Sequence, residues 1–338
     1  MLRRYFLTAF VLFCTLSLSA QDAIFSQFYA TPLYINPALA GADKCGRFSA
    51  TYRNQWTAIP GAFSCINASF DKHIRELSGA IGIIVTNVRE GNGSYSTTDV
   101  GAIYSFNLQV NDVFSIKLAA QASFVNRHID WSNLTFADQY IQMLANNSTN
   151  LADWPTGEQF PDKPTSKNYA DFSTGIVGYS ENFYAGFAIH HLSRPDEGFG
   201  GGIARLPMKF TVHAGAVIDL VPKQRRFRAP NAPTLSPNII YQQQGTAQYL
   251  NYGVYATNLV QSMVFGVWYR QTIAFDQPES MTFLIGFQHN ALRVGYSYDL
   301  ALNQIVGAWG GSHELSVGYN LACSPPRSKI KMINCPSF

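Results

Sequence analysis

The sequence predicts an all-β fold: a transmembrane antiparallel β-barrel of about 14 strands, preceded by an irregular segment. Three observations carry this. Only 13% of the 338 residues are charged while 14% are aromatic, against roughly 25% charged in soluble domains. The mean hydropathy is nonetheless −0.03, and beyond the N-terminus no run approaches the about 20 apolar residues that a membrane helix needs. Long windows instead alternate apolar and polar residues, as strands with one face on lipid and one on a lumen do. So apolar a chain is not disordered. Its net charge of +3 is too small and too scattered for a nucleic-acid surface.

Residues 1–20 read as a signal peptide. Arg3 and Arg4 precede the apolar stretch Tyr5–Leu18, too short to span, and Ser17, Ser19 and Ala20 supply small residues for cleavage. Cleavage after Ser19 keeps small residues at both critical positions; cleavage after Ala20 makes Gln21 the first residue. The bulky Phe13 before Cys14 argues against a lipoprotein. Export places the mature chain where disulfides form.

Residues 21–44 form a non-barrel segment. Asn36-Pro37 interrupts any strand there, because proline lacks the donor and restrains the residue before it. Irregular backbone at membrane depth must be covered by protein or line a cavity. This aromatic-rich lead-in is therefore either a plug in the lumen or a strap along the periplasmic rim.

The barrel occupies residues 45–323. Val100, Ala102, Tyr104, Phe106 and Leu108 alternate with Gly101, Ser105, Asn107 and Gln109, and Ile116, Leu118, Ala120 and Ala122 with Ser115, Lys117, Gln121 and Ser123. Phe210, Val212 and Ala214 oppose Lys209, Thr211 and His213; Leu315, Val317 and Tyr319 oppose Glu314, Ser316 and Gly318. Strands are expected near Gly46, Phe63, Gly79, Thr97, Asp112, Tyr169, Asn182, Pro207, Leu235, Ala247, Val260, Glu279, Ala291 and Ser312. Their length matches the roughly 9–11 residues of a spanning strand and exceeds the 5–6 usual in sandwiches.

The links between them sort by length. Tight turns near Asn111-Asp112, Glu181-Asn182, Asn258 and Asn290 alternate with longer links at Glu90–Ser96, Trp131–Asn168, Arg194–Leu206, Phe275–Pro278 and Asp299–Gly311. That is the pattern of periplasmic turns and external loops. The short Thr57–Ala62 link and the long basic Val221–Thr234 turn break it in opposite senses. Arginine at outward Phe106, Leu118, Val212 or Val317 should be costly, and at inward Asn107 or Ser316 much less so.

A succession of motifs runs from the lead-in into the first two strands: Phe25-Ser26-Gln27, Asn36-Pro37, Gly41, then Tyr52-Arg53-Asn54-Gln55-Trp56 and Asp71. It resembles the PorP/SprF family of outer-membrane proteins from the type IX secretion and gliding machinery of Bacteroidetes. The motifs cover about 50 residues; the rest of the chain shares length, barrel pattern and the terminal Cys335-Pro336-Ser337-Phe338. The resemblance implies a non-enzymatic component that exports or anchors large adhesins carrying C-terminal sorting domains, beside periplasmic ring or rod subunits. Loops 131–168, 194–206 and 299–311 would then receive the adhesin. A passive porin, or a FadL-like carrier for small apolar solutes, is the rival reading.

Other candidate chemistry is weak. His190 and His191 are adjacent, so on a strand they face opposite sides. His213 is expected in a structural role on the lumen face, and no Ser, His and carboxylate share a spacing that recommends catalysis. Gly198–Gly202 lies in a loop with no helix after it, so it is not a phosphate cradle. No cofactor is implied. Inward charges of both signs include Arg47, Arg53, Lys117, Lys209 and Arg293 against Asp99, Asp171, Asp219 and Glu314; they either set ion selectivity or cross-link wall and plug. Arg225, Arg226 and Arg228 form the one basic cluster, placed at the periplasmic face, where outer-membrane lipid phosphates or a periplasmic partner would meet it.

Four cysteines remain after signal removal. Cys45, Cys323 and Cys335 fall at the periplasmic rim or in the tail 324–338, while Cys65 lies about 25 Å away along the wall. A disulfide requires Cα atoms within about 7 Å. One bond is expected among the first three, with Cys45 joined to Cys323 or Cys335 favoured over closure of the tail alone, and Cys65 reduced.

Overall fold

The computed structural model describes residues 21–43, 45–59, 61, 63–146, 149–150, 154–157, 164–199, 203–221, 232–260, 262–273, 277–302 and 310–322. The signal peptide, the Arg225, Arg226 and Arg228 cluster, Cys323, Cys335 and the tail 324–338 lie outside these residues.

The alternating windows form fourteen strands. They are β1 (Arg47–Gln55), β2 (Phe63–Ile74), β3 (Gly79–Glu90), β4 (Tyr95–Gln109), β5 (Ser115–Ile129), β6 (Ser166–Tyr179) and β7 (Phe183–His190). There follow β8 (Lys209–Ala216, resuming as Ile218–Asp219), β9 (Thr234–Gln244), β10 (Ala247–Thr257), β11 (Met263–Thr272), β12 (Gln277–His289), β13 (Leu292–Ala301) and β14 (Ser312–Asn320). Each pairs antiparallel with its sequence neighbours, and β1 pairs with β14 from Arg47↔Asn320 to Gln55↔Ser312. The sheet closes, leaving no edge.

Closure with an even number of strands puts the start of β1 and the end of β14 at one rim. By the rule of outer-membrane barrels, this rim is periplasmic and the end with the long links is external. The periplasmic turns use short-range chemistry. Asn258 and Asn290 adopt left-handed backbone with φ 58 and 53, a conformation asparagine tolerates better than most residues. Asn111 Oδ1 accepts from the amides of Val113 and Phe114 at 2.9 and 2.8 Å.

The external links depart from the sequence reading in four places. Between β3 and β4 the chain turns within Gly91–Ser94, and Pro278 belongs to β12 rather than to a loop, because strand pairing continues toward the tips; β9 and β10 are joined by Gly245-Thr246 alone. The longest link carries structure: a 3₁₀ turn at Trp131–Asn133 and a helix at Ala137–Ala145, before β6 begins at Ser166. Asp299 belongs to the wall and not to a loop, since β13 pairs with β12 out to Ala301.

Outward positions form an apolar belt in which Phe106, Leu118, Val212 and Val317 are all exposed. The lumen is not uniformly polar. Residues 21–43 lie inside it, with one helical turn at Pro32–Ile35 and a 3₁₀ turn at Pro37–Leu39, so the lead-in is less irregular than predicted. Prolines open both turns, where the missing N–H costs nothing. Wherever this plug is apolar, the wall facing it is apolar too. Phe28 and Ile35 pack with Ile240, Val264, Trp268 and Leu284; Leu33 and Ala40 with Ala80, Ile84 and Ile103; Leu39 and Ala42 with Val177 and Tyr179. Each large side chain buried this way contributes about 1.5–3 kcal/mol. The core of the molecule is this plug–wall interface.

Candidate functional site

The plug enters from the periplasmic rim beside β1 and ends at the outer opening, held by polar latches at successive depths. Lowest, Asp71 on β2 accepts from the Gly41 amide at 2.6 Å and from Arg47 Nε at 3.0 Å. Lys117 Nζ donates to the carbonyls of Ala40 and Gly41, both at 2.7 Å. Gly41 adopts φ 64, and a Cβ there would overlap that of Ala80, so no other residue fits this turn.

At mid-depth Asn36 is fully buried. Its Oδ1 caps the 3₁₀ turn by accepting from Ala38 N at 2.9 Å, while Nδ2 lies 3.0 Å from His213 Nε2 and donates to the carbonyls of Ile176 and Phe187. The notch that admits it exists because residue 175 is glycine; a Cβ on Gly175 would overlap Asn36 Oδ1. Tyr29 and Tyr184 are joined through their hydroxyls, and Tyr184 donates to Asn238 Oδ1 at 2.9 Å.

Higher still is the densest cluster. Arg53 donates to Glu314 Oε2 at 3.0 Å, Asp299 Oδ2 at 2.7 Å and Ser26 Oγ at 2.8 Å. Glu314 accepts from the amides of Ser26 and Gln27 at 2.7 and 2.9 Å. Gln27 Nε2 donates to the Glu314 carbonyl at 2.8 Å, and Ser316 Oγ to Gln27 Oε1 at 2.5 Å. Arg270 reaches Ser26 Oγ at 3.2 Å. Plug, seam and wall share one ionic network.

At the outer opening, Asp22 meets His191 Nε2 at 2.9 Å, Lys209 Nζ at 3.2 Å and Gln244 Nε2 at 3.0 Å, and His191 Nδ1 lies 2.6 Å from Asp171. Burial disfavours charge on His191, but the carboxylates of Asp22 and Asp171 outweigh it and hold the imidazole protonated up to about pH 10. Burial likewise opposes the Asp22 carboxylate, yet the cations of His191 and Lys209 keep it well below the usual range.

The family model described as type IX secretion system membrane protein PorP/SprF matches residues 17–319. The chain belongs to the PorP/SprF family. It is an outer-membrane protein of the type IX secretion system. No curated protein matches it. Among solved structures, the Pseudomonas putida (P. putida) toluene transporter TodX is similar at 10% identity with TM-score 0.49, covering 87% of this chain and 95% of its own. The Ralstonia pickettii toluene transporter TbuX gives 11% and 0.47, with coverage of 86% and 93%. The Acinetobacter baumannii outer membrane protein Omp33 gives 8% and 0.44, with coverage of 83% and 100%.

In this PorP/SprF protein the latches gather Ser26, Gln27, Asn36, Gly41, Arg53 and Asp71 from the sequence motifs. Phe25 is buried edge-on against Tyr34, with ring centroids 5.0 Å apart, and Pro37 opens the 3₁₀ turn. Of the remaining motif residues, Tyr52 is exposed on the lipid face and Asn54 follows the same parity, while Gln55 and Trp56 line, with Arg53, Arg270 and Asp299 of the ionic network, a cavity of about 90 Å³ at the outer end. Cys45 is disulfide-bonded, and Cys65 is a free, buried thiol.

Two corrections concern histidine and serine. His190 and His191 do not face opposite sides: β7 ends at His190, and His191 takes φ 59, so both rings turn to the plug, His190 toward the Ile35 carbonyl. Ser316 faces inward but is filled against Gln27, so it is not the tolerant lumen position expected. The sequence reading also missed Asp22, Arg270 and Asp299. Asp299 had a signal, since Arg293, Ser297 and Asp299 share parity. Arg270 had little, because its inward neighbour Trp268 disguises the alternation.

Proposed function

We propose that this protein is a plugged, non-enzymatic platform of the type IX secretion system that assists export or surface anchoring of a large adhesin. The observation that carries the reading is the plug. Residues 21–43 are bonded to the wall from the periplasmic rim to the outer opening through buried polar and charged groups whose rupture is costly. Such a lumen suits a fixed receptor better than a passive porin or a carrier for apolar solutes. The adhesin, or its C-terminal sorting domain, docks on loops 131–168 and 194–206 and on the link that follows β13, up to residue 311. The loop helix Ala137–Ala145 leaves Tyr140, Ile141 and Leu144 exposed at that end, an apolar group available to a partner. Ring or rod subunits meet the opposite rim.

Two measurements test this. In planar bilayers the protein should be electrically silent, and steady open-channel current would favour the porin reading. Shortening residues 140–165 should spare barrel assembly and abolish adhesin display; normal display by a correctly inserted deletion would refute the docking assignment.

A further inference from the structure

Above the plug, the outer ends of β3 to β6 enclose a cavity of about 100 Å³ whose floor is Gln21–Ala23. Its ionisable lining is asymmetric: the carboxylates Asp22, Glu90, Asp99 and Glu197 against the cations Arg127 and His191. Asp22 is engaged by His191 and Lys209, and Glu197 by Arg127 and the Tyr169 hydroxyl. Two carboxylates remain. Glu90 has no hydrogen bond among the described residues and feels Arg127 only at longer range, and Asp99, whose carboxylate takes the Ser123 hydroxyl, leaves Oδ1 buried without a partner. On the opposite side of the charge balance, Arg127 is 7% exposed and its Nε–H finds no acceptor. Its guanidinium lies over the Tyr95 ring at 4.7 Å, which fixes its plane.

A buried donor and a buried acceptor left open in one cavity each carry an unrecovered desolvation penalty, so the cavity is complementary to a group that brings both. A metal ion or a polyamine would answer the carboxylates but offer nothing to Arg127. A lysine or arginine residue within a peptide brings its cationic head and, beside it, a main-chain carbonyl. We infer that this outer cavity is a binding site for a basic peptide segment, the cationic head held by Glu90 and Asp99 and a main-chain carbonyl accepting from Arg127 Nε. The proposal deepens the reading of the outer end as a receiving surface and rests on it for the source of the peptide, but not for the chemistry of the site.

The test uses the full mature chain in nanodiscs and three small probes, followed by calorimetry or by chemical shifts. N-acetyl-arginine methylamide should bind saturably. Its isosteric neutral analogue, N-acetyl-citrulline methylamide, should bind at least about tenfold more weakly, as expected when a charge-assisted hydrogen bond is lost. Methylguanidinium, a cation without a carbonyl, should also be weaker. Glu90→Gln and Asp99→Asn should each weaken the arginine probe several-fold while leaving heat-modified gel mobility unchanged. Equal binding of the citrulline analogue would overturn the proposal even if neither variant folded, as would an absence of saturation by the arginine probe into the tens of millimolar, roughly −2 to −3 kcal/mol. Lost adhesin display with intact arginine binding would remove the functional reading and keep the site; intact display with no arginine binding would do the reverse.

Discussion

Arg53 on β1 and Glu314 on β14 stand directly opposite each other across the seam that closes the barrel, with Nη1 3.0 Å from Oε2. The two residues are 261 positions apart in the chain, and both are buried. Because Glu314 also receives two amides of the plug, one carboxylate joins first strand, last strand and plug. Glu314→Ala should therefore cost about 3–5 kcal/mol, since it strands a buried guanidinium and two amides. The check is the temperature of the heat-induced gel shift, together with protease access to residues 21–43. A variant as stable and as resistant as the parent would contradict the network.

Gly175→Ala should displace Asn36 from its notch and cost about 1–3 kcal/mol through overpacking. Combining it with Asn36→Ala should recover part of that loss, because the clash is with the amide that the second change removes. Strict additivity of the two losses in thermal unfolding would show that the glycine acts elsewhere.

Arginine at Phe106, Leu118, Val212 or Val317 should cost about 2–4 kcal/mol near the midplane. Asn107→Arg should be mild, because that position is half-buried near the periplasmic rim. Ser316→Arg should instead behave like a lipid-face substitution in severity, but by ejecting Gln27 and exposing the plug to protease. Folding yields into lipid, compared across the set, decide it.

The outer latch should be pH-dependent. An imidazole is half-protonated near pH 6.5 when unfolded, whereas His191 folded holds its proton to about pH 10. Its contribution is thus complete below about pH 6.5 and is lost as pH rises through about 10. Asp22 works in the other direction, its contribution present above its ordinary range and lost on acidification. Protease cleavage near residues 21–23 should increase between pH 7 and pH 10.5 in the parent. In His191→Gln it should be high already at pH 7; a flat profile in both would remove the latch.

Peptide mapping without reduction should find Cys45 cross-linked to Cys323 or Cys335 and Cys65 as a free thiol. Intact protein should resist maleimide at Cys65, which is 4% exposed, until it is unfolded. A cross-link from Cys45 to Cys65 would break the strand order itself.

Much of the wall was legible in the chain because a strand's two faces are written at alternate positions, and lipid and lumen make opposite demands on them. The parity of Leu315 against Glu314, or of Leu118 against Lys117, needs no partner to be read. The tight turns at Asn111, Asn258 and Asn290 were legible for the same local reason. The inward motif residues Arg53 and Asp71 were visible as unusual, but not their bonds, which depend on what fills the lumen.

The sequence by itself determined the all-β wall, its strand order, its apolar belt and the exclusion of Asn36-Pro37 from any strand, since each rests on contacts within a few residues or between strands adjacent in the chain. Only the tertiary structure decided that residues 21–43 run through the lumen, that Glu314 and Ser26 meet across the chain, and that His191 turns inward at the end of β7. These are long-range pairings between groups of ordinary type. Any of several lumen carboxylates satisfies the local rules for Arg53, and the choice among them is made by closure of the barrel around its plug.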